Sequence, residues 1–139
     1  MRRRGRKRPK RAGAMDIKPL GVADRQLIAA YGDGGFRISG RTYRGSVLVL
    51  PTKTLELDVH AARDLAARHL DPVSAFEPPI ELLLVGCGAD LAIFDHSVFS
   101  ALKSGAVAVE PMNTGAACRT FNVLLAEDRR VAAVLIAVE

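Results

Sequence analysis

The sequence predicts an α/β fold built on a mixed central sheet. Short strand-like runs separated by glycine-rich turns fill residues 25–50, the pattern of antiparallel hairpins. From residue 80 onward, apolar runs of strand length alternate with helical segments, and such alternation makes parallel neighbours joined by crossovers. A chain of 139 residues, 49% apolar and 25% charged, supplies one core rather than two. The expectation is one domain over residues 15–139, with N-terminal antiparallel strands and a β-α-β-α-β C-terminal half.

Residues 25–31, RQLIAAY, read as a strand stopped by Gly32-Asp33-Gly34-Gly35, a cluster that supplies positive φ. Phe36 to Ile38 and Arg41 to Tyr43 flank Ser39-Gly40, a two-residue hairpin signal. Residues 46–50 form another strand, ended by Pro51. From Asp58, the spacing of Val59, Ala62, Leu65, Ala66 and Leu70 predicts a helix with Asp58 as N-cap. Asp71-Pro72 starts a short further turn of helix, and Glu77-Pro78-Pro79 breaks it. The continuous apolar run 80–85 predicts a strand buried on both faces. Asp95 is placed to cap a helix carrying Val98, Phe99 and Leu102, with Gly105 at its end; residues 106–109 then read as a second buried strand. In MNTGAACRTFNVLL, residues 112–125, Asn113 or Thr114 caps a helix whose stripe is Ala117, Phe121, Leu124 and Leu125. Residues 127–130 turn the chain into a wholly apolar last strand, 131–138.

The net charge of +5 and isoelectric point near 9.7 point toward nucleic acid until the charge is located. Residues 1–11 hold eight basic groups and no acid, and removing those eight from +5 leaves −3. The fold itself is therefore mildly acidic, and residues 1–14 read as a disordered basic arm. Such an arm is an inert extension, an upstream start ahead of Met15, a targeting segment, or a polyelectrolyte that touches phosphates. It lacks the apolar core of a secretion signal and the serines of a mitochondrial presequence. No apolar run has the length of a membrane span, so a soluble, cytoplasmic protein is expected. Two cysteines without paired spacing give neither a disulfide framework nor a zinc site, and the three histidines add no metal spacing. No metal, cofactor or catalytic residue is predicted.

Parallel strands at 80–85 and 106–109 would bring Gly86-Cys87-Gly88 beside the Asn113 to Cys118 loop, at the sheet edge where α/β folds bind ligands. Candidate ligand-binding residues are Gly86, Gly88, Thr114, Gly115, Ala116, Cys118 and Arg119. Small side chains at 115–117 leave helix N-terminal amides open to an anion. Arg119, a cation opposed by the helix dipole at about 0.3–1 kcal/mol, has a ligand, Glu110 or solvent as its possible partner. Cys118 is a packed core thiol, a thiolate activated by the helix end, or one half of a bridge to Cys87. The turn at 86–90 fails as a dinucleotide motif, because Leu91 stands where the third small residue belongs. Arg37, Arg41 and Arg44 mark either a wet strand face or a binding face.

YGDGGFRISG, YRGSVLVLP, IELLLVGCG and MNTGAACRTFNVLLAEDRRVAAVLI together resemble the Mth-938-like domain family, from about Leu20 to the C-terminus. The resemblance implies a three-layer α/β fold with a mixed central sheet and no established catalytic activity. Eukaryotic members include a mitochondrial assembly factor for respiratory complex I and an adipogenesis-associated protein. Cys87 departs from the family's Gly-Thr-Gly loop, and Phe121 stands where tyrosine is common. By that analogy the chain is a non-enzymatic binding or assembly factor acting on a protein partner. The alternatives are a small anionic ligand at the 113–119 helix N-terminus, with slow chemistry there as one form, and nucleic-acid contact through residues 1–11.

Overall fold

A computed structural model describes residues 24–89, 96–102 and 106–139. The basic arm and the predicted helix boundaries at Asp95 and Gly105 lie outside the described residues. Strands β1 (Ile28–Gly32), β2 (Gly35–Ile38) and β3 (Arg41–Arg44) form an antiparallel meander. The expected Ser39-Gly40 hairpin is present, with φ of 48° and 82°, the left-handed pair whose twist matches that of the flanking strands.

Strands β4 (Val47–Leu50), β5 (Lys53–Glu56), β6 (Leu82–Gly86), β7 (Ala108–Met112) and β8 (Val131–Leu135) make the five-stranded sheet, in the order β5-β4-β8-β6-β7. β4 runs antiparallel to β5 and β8, whereas β6 lies parallel to both β7 and β8. β4 and β8 are fully buried because neighbours flank them and layers cover both their faces. One face carries Leu83, Val85 and Val134 under a layer that includes α1 (Asp71–Ala75) and two 3₁₀ turns, Ala62–Asp64 and Ala67–Leu70. The other carries Leu84, Ala133 and Leu135 under α2 (Thr114–Ala126) and the small meander. This is the expected three-layer α/β arrangement with a mixed central sheet.

Four local expectations are corrected. The helix from Asp58 is replaced by the two 3₁₀ turns, since spacings of three at Val59, Ala62 and Leu65 suit three residues per turn. The Asp58 carboxylate is also taken by Arg68 and His69. The helix expected around Val98 is a 3₁₀ segment, His96–Ala101, which still buries Phe99 and Leu102. β7 lies later than residues 106–109 and is not buried: it is the sheet's edge, where Pro111 costs no ladder bond. Finally, residues 25–27 precede β1, and Arg25 reaches the end of α2, donating to the Leu125 carbonyl at 3.1 Å and pairing with Asp128. Pro51 does not end this part of the sheet: Pro51-Thr52 is the turn of a hairpin that leads into β5.

α2 is tied to both sheets. The Asn122 side chain accepts from the Ile28 amide at 3.0 Å and donates to the Ile28 carbonyl at 2.9 Å, so it pairs with β1 as a strand would. Beneath its first turn lies Gly86: a Cβ there would sit 3.0 Å from the Thr114 Cα and 3.2 Å from the Ala117 and Leu135 side chains. Gly86→Ala is expected to lower stability by about 1–3 kcal/mol through this overpacking. The check is a shift of the urea midpoint at unchanged slope.

Candidate functional site

The chain leaves β6 for β7 on one side and returns through α2 to β8 on the other. The carboxyl end of β6 is therefore the switch point at which ligand crevices form in such sheets. Here the Cys87 amide donates to the Met112 carbonyl at 2.8 Å and the Thr114 amide to the Gly88 carbonyl at 2.9 Å. Gly88 takes φ of 101°, a conformation that favours glycine. The two predicted loops do lie side by side.

A cleft of about 770 Å³ opens at this edge. Its walls include Tyr31 of β1, His60 and Arg63 before and within the first 3₁₀ turn, Gly88, Asn113 and Gly115. The seven predicted residues are distributed unequally around it. Gly88 and Gly115 line the cleft; Gly86 and Thr114 are buried beneath it. Cys118 and Arg119 line a separate cavity of about 270 Å³ between β1 and α2. Ala116 is half-buried in the first turn of α2.

The helix N-terminus is largely satisfied from within. Asn113 is the cap, its Oδ1 accepting from the Ala116 amide at 2.8 Å, while the Thr114 amide serves Gly88. Of the amides of residues 114–116, only that of Gly115 lacks a partner among the described residues. A Cβ on Gly115 would stand 2.3 Å from the Tyr31 hydroxyl and 3.4 Å from Arg119 Nη1. The phenol and the guanidinium thus share the space that glycine leaves. Tyr31 is the residue that sequence reading missed; its place before the Gly32 turn gave no signal, because only β1 pairing brings it to α2.

Burial pushes the Cys118 thiol up to about 12 against the opposing pull of Arg119, so the guanidinium does not make a thiolate. Cys87 packs on the opposite face of the sheet, and neither cysteine is in a disulfide. Arg119 is exposed and meets no carboxylate among the described residues, Glu110 included. The His60 and Arg63 wall is held by the segment behind it. His69 Nδ1 accepts from the Ala66 amide at 2.9 Å, which leaves the ring proton on Nε2 to be donated to Asp58 at 2.7 Å. Bonds from Arg68 and then His69 pull the Asp58 carboxyl from its ordinary 3.8 to about 2. Among the described residues, no group of three or more His, Cys, Asp or Glu side chains could hold a metal ion.

With this geometry in view, residues 28–136 match the family described as a protein of unknown function, DUF498/DUF598. The chain belongs to the DUF498/DUF598 family. The match runs from the first residue of β1 to just past β8, so it contains both sheets and α2. An NADH dehydrogenase [ubiquinone] 1 alpha subcomplex assembly factor 3 of Danio rerio is 38% identical over 110 residues, covering 79% of this chain and 63% of that protein. The chain therefore spans somewhat less than two thirds of this assembly factor's length. The crystal structure of an outer membrane protein from Bartonella henselae is 39% identical, with TM-score 0.75, covering 84% of this chain and 98% of that one. A Bordetella pertussis protein solved by NMR as an Mth938-like domain is 26% identical, with TM-score 0.67, over 89% of this chain and 92% of that one. The expected Mth-938-like fold is thus the one this DUF498/DUF598 chain adopts. No helix among its described residues is long and apolar enough to cross a membrane.

Two measurements check the chemistry of this DUF498/DUF598 chain. Since Cys87 and Cys118 are both buried, a disulfide exchange reagent at neutral pH should react slowly with the native protein and fully after denaturation. A rapid phase amounting to one thiol would contradict the buried reading. The depressed Asp58 value gives stability that is complete above its unfolded value of 3.8 and is lost as pH falls through about 2. Acid unfolding of Asp58→Asn should accordingly show less loss between pH 4 and 2 than the parent, read by circular dichroism.

Proposed function

We propose that the chain is a non-enzymatic binding or assembly factor that acts through protein contacts on subunits of an NADH dehydrogenase. The observation that carries this reading is the 38% identity to the Danio rerio assembly factor across 79% of the chain. That similarity extends over 110 residues and not over one short motif. The same assembly-factor name attaches to a human relative, 32% identical over 115 residues.

The chemistry of the cleft agrees with a binding role. Cys87, which lines the cleft, is buried and its thiol donates to the Val85 carbonyl at 3.5 Å. A reducing compartment, here the cytoplasm, accords with two cysteines held on opposite faces of the sheet, where they cannot bridge.

Deleting the gene should reduce fully assembled NADH dehydrogenase on native gels while its subunits are still synthesised, and the intact chain should restore it. In the same cells a tagged chain should recover enzyme subunits in stoichiometric amounts. Unchanged assembly together with no stoichiometric partner would overturn the reading.

A further inference from the structure

The large apolar side chains that stand exposed among the described residues are Leu27, Tyr31 and Val123, at 58%, 45% and 56%. They are not scattered. Leu27 immediately precedes β1, Tyr31 lies within it, and Val123 lies on α2. The double hydrogen bond between Asn122 and Ile28 places Val123 and Leu27 each one residue from the same joint. Arg119 stands one turn from Val123 on the same side of α2, and with Tyr31 it lines the cavity between helix and strand. Exposed Ala29 and Ala30 leave that seam open. An exposed apolar strip bounded by charge marks an interaction surface.

Arg119 has no carboxylate partner among the described residues, and neither has exposed Arg37, which pairs in register with Ala30. Asp128 is held by Arg25, while Asp33 and Glu127 stand at the ends of the strip and bond to neither arginine. Apolar anchors beside tyrosine and arginine match the composition of protein interfaces. Leucine and valine at the centre offer little to a polyphosphate, whose contacts are mostly cationic. Residues 1–11, with eight basic groups and no acid, do not complement a cationic seam either.

We propose that the seam between β1 and α2 is a docking surface for an acidic, apolar-anchored segment of a partner protein, with a partner carboxylate meeting Arg119. This rests on the reading of the chain as a protein-contact factor and names the surface and the partner's chemistry.

The test places a photo-crosslinking amino acid at Val123 in the full chain, with Ala75 as the control on the opposite face, in cells that express the protein. The cross-linked peptide is then sequenced by mass spectrometry. The expected result is one partner segment carrying several Asp or Glu residues among apolar ones. It should be captured from position 123 and not from 75, with yield falling at least tenfold when Arg119→Glu is added to a chain of unchanged melting temperature. Capture of nucleic acid, of a second copy, of the chain's own residues 12–23, or of a basic segment would overturn the proposal. So would equal yield from both positions, or indifference to Arg119→Glu. If a stoichiometric partner co-purifies but cross-links elsewhere, this surface is wrong and the protein-contact function stands. If no partner is recovered at all, both fall.

Discussion

One hydroxyl holds the carboxyl edge of the sheet together. Thr114 Oγ1 donates to the Ile136 carbonyl at 2.7 Å and accepts from the Gly88 amide at 2.9 Å, and the residue is wholly buried. A single side chain thereby joins the end of β8, the loop after β6 and the first turn of α2. A hydroxyl suits this because it donates and accepts from one atom. Without it, two buried backbone groups would lose their partners, at a cost of about 1–3 kcal/mol each. Gly86 makes the joint possible by letting α2 approach the sheet, and the cleft at the edge inherits its shape from both.

The buried sheet separates the molecule into two apolar cores. Cys87 belongs to one and Cys118 to the other, so the thiols are isolated by the same strands that bring their loops together. Tyr31 is the exception to the separation at the surface, because it borders the cleft on one side and the β1–α2 seam on the other. Whatever occupies either space meets the same phenol. The Asn122 bonds to Ile28 hold β1 in the position that puts this ring over Gly115.

Much of this was legible in the residues. Alternation, turn glycines and the apolar runs of β6 and β8 define their own environment, so their identity as strands follows from local chemistry. The α2 stripe reads correctly at Ala117, Phe121 and Leu125 for the same reason. The segment from Asp58 to Leu70 does not, since apolar spacing alone cannot say whether a capping carboxylate will serve an amide or a distant histidine. The seven candidate residues do not share one cavity: Gly88 and Gly115 line the cleft, whereas Cys118 and Arg119 line another. That second cavity lies between α2 and β1, although the Arg119 guanidinium still reaches the space beside Gly115.

The sequence by itself determined the fold class, the strand character of β6 and β8 with α2 between them, and the convergence of the 86–88 and 113–115 loops, because each depends on periodicity, turn chemistry and crossover geometry. Only the tertiary structure decided that Thr114 is a tether, that Cys118 is a buried core thiol, and that Tyr31 stands over Gly115. Those outcomes depend on which partners occupy the space around a group. That is set by contacts between residues tens of positions apart, and no local pattern encodes it.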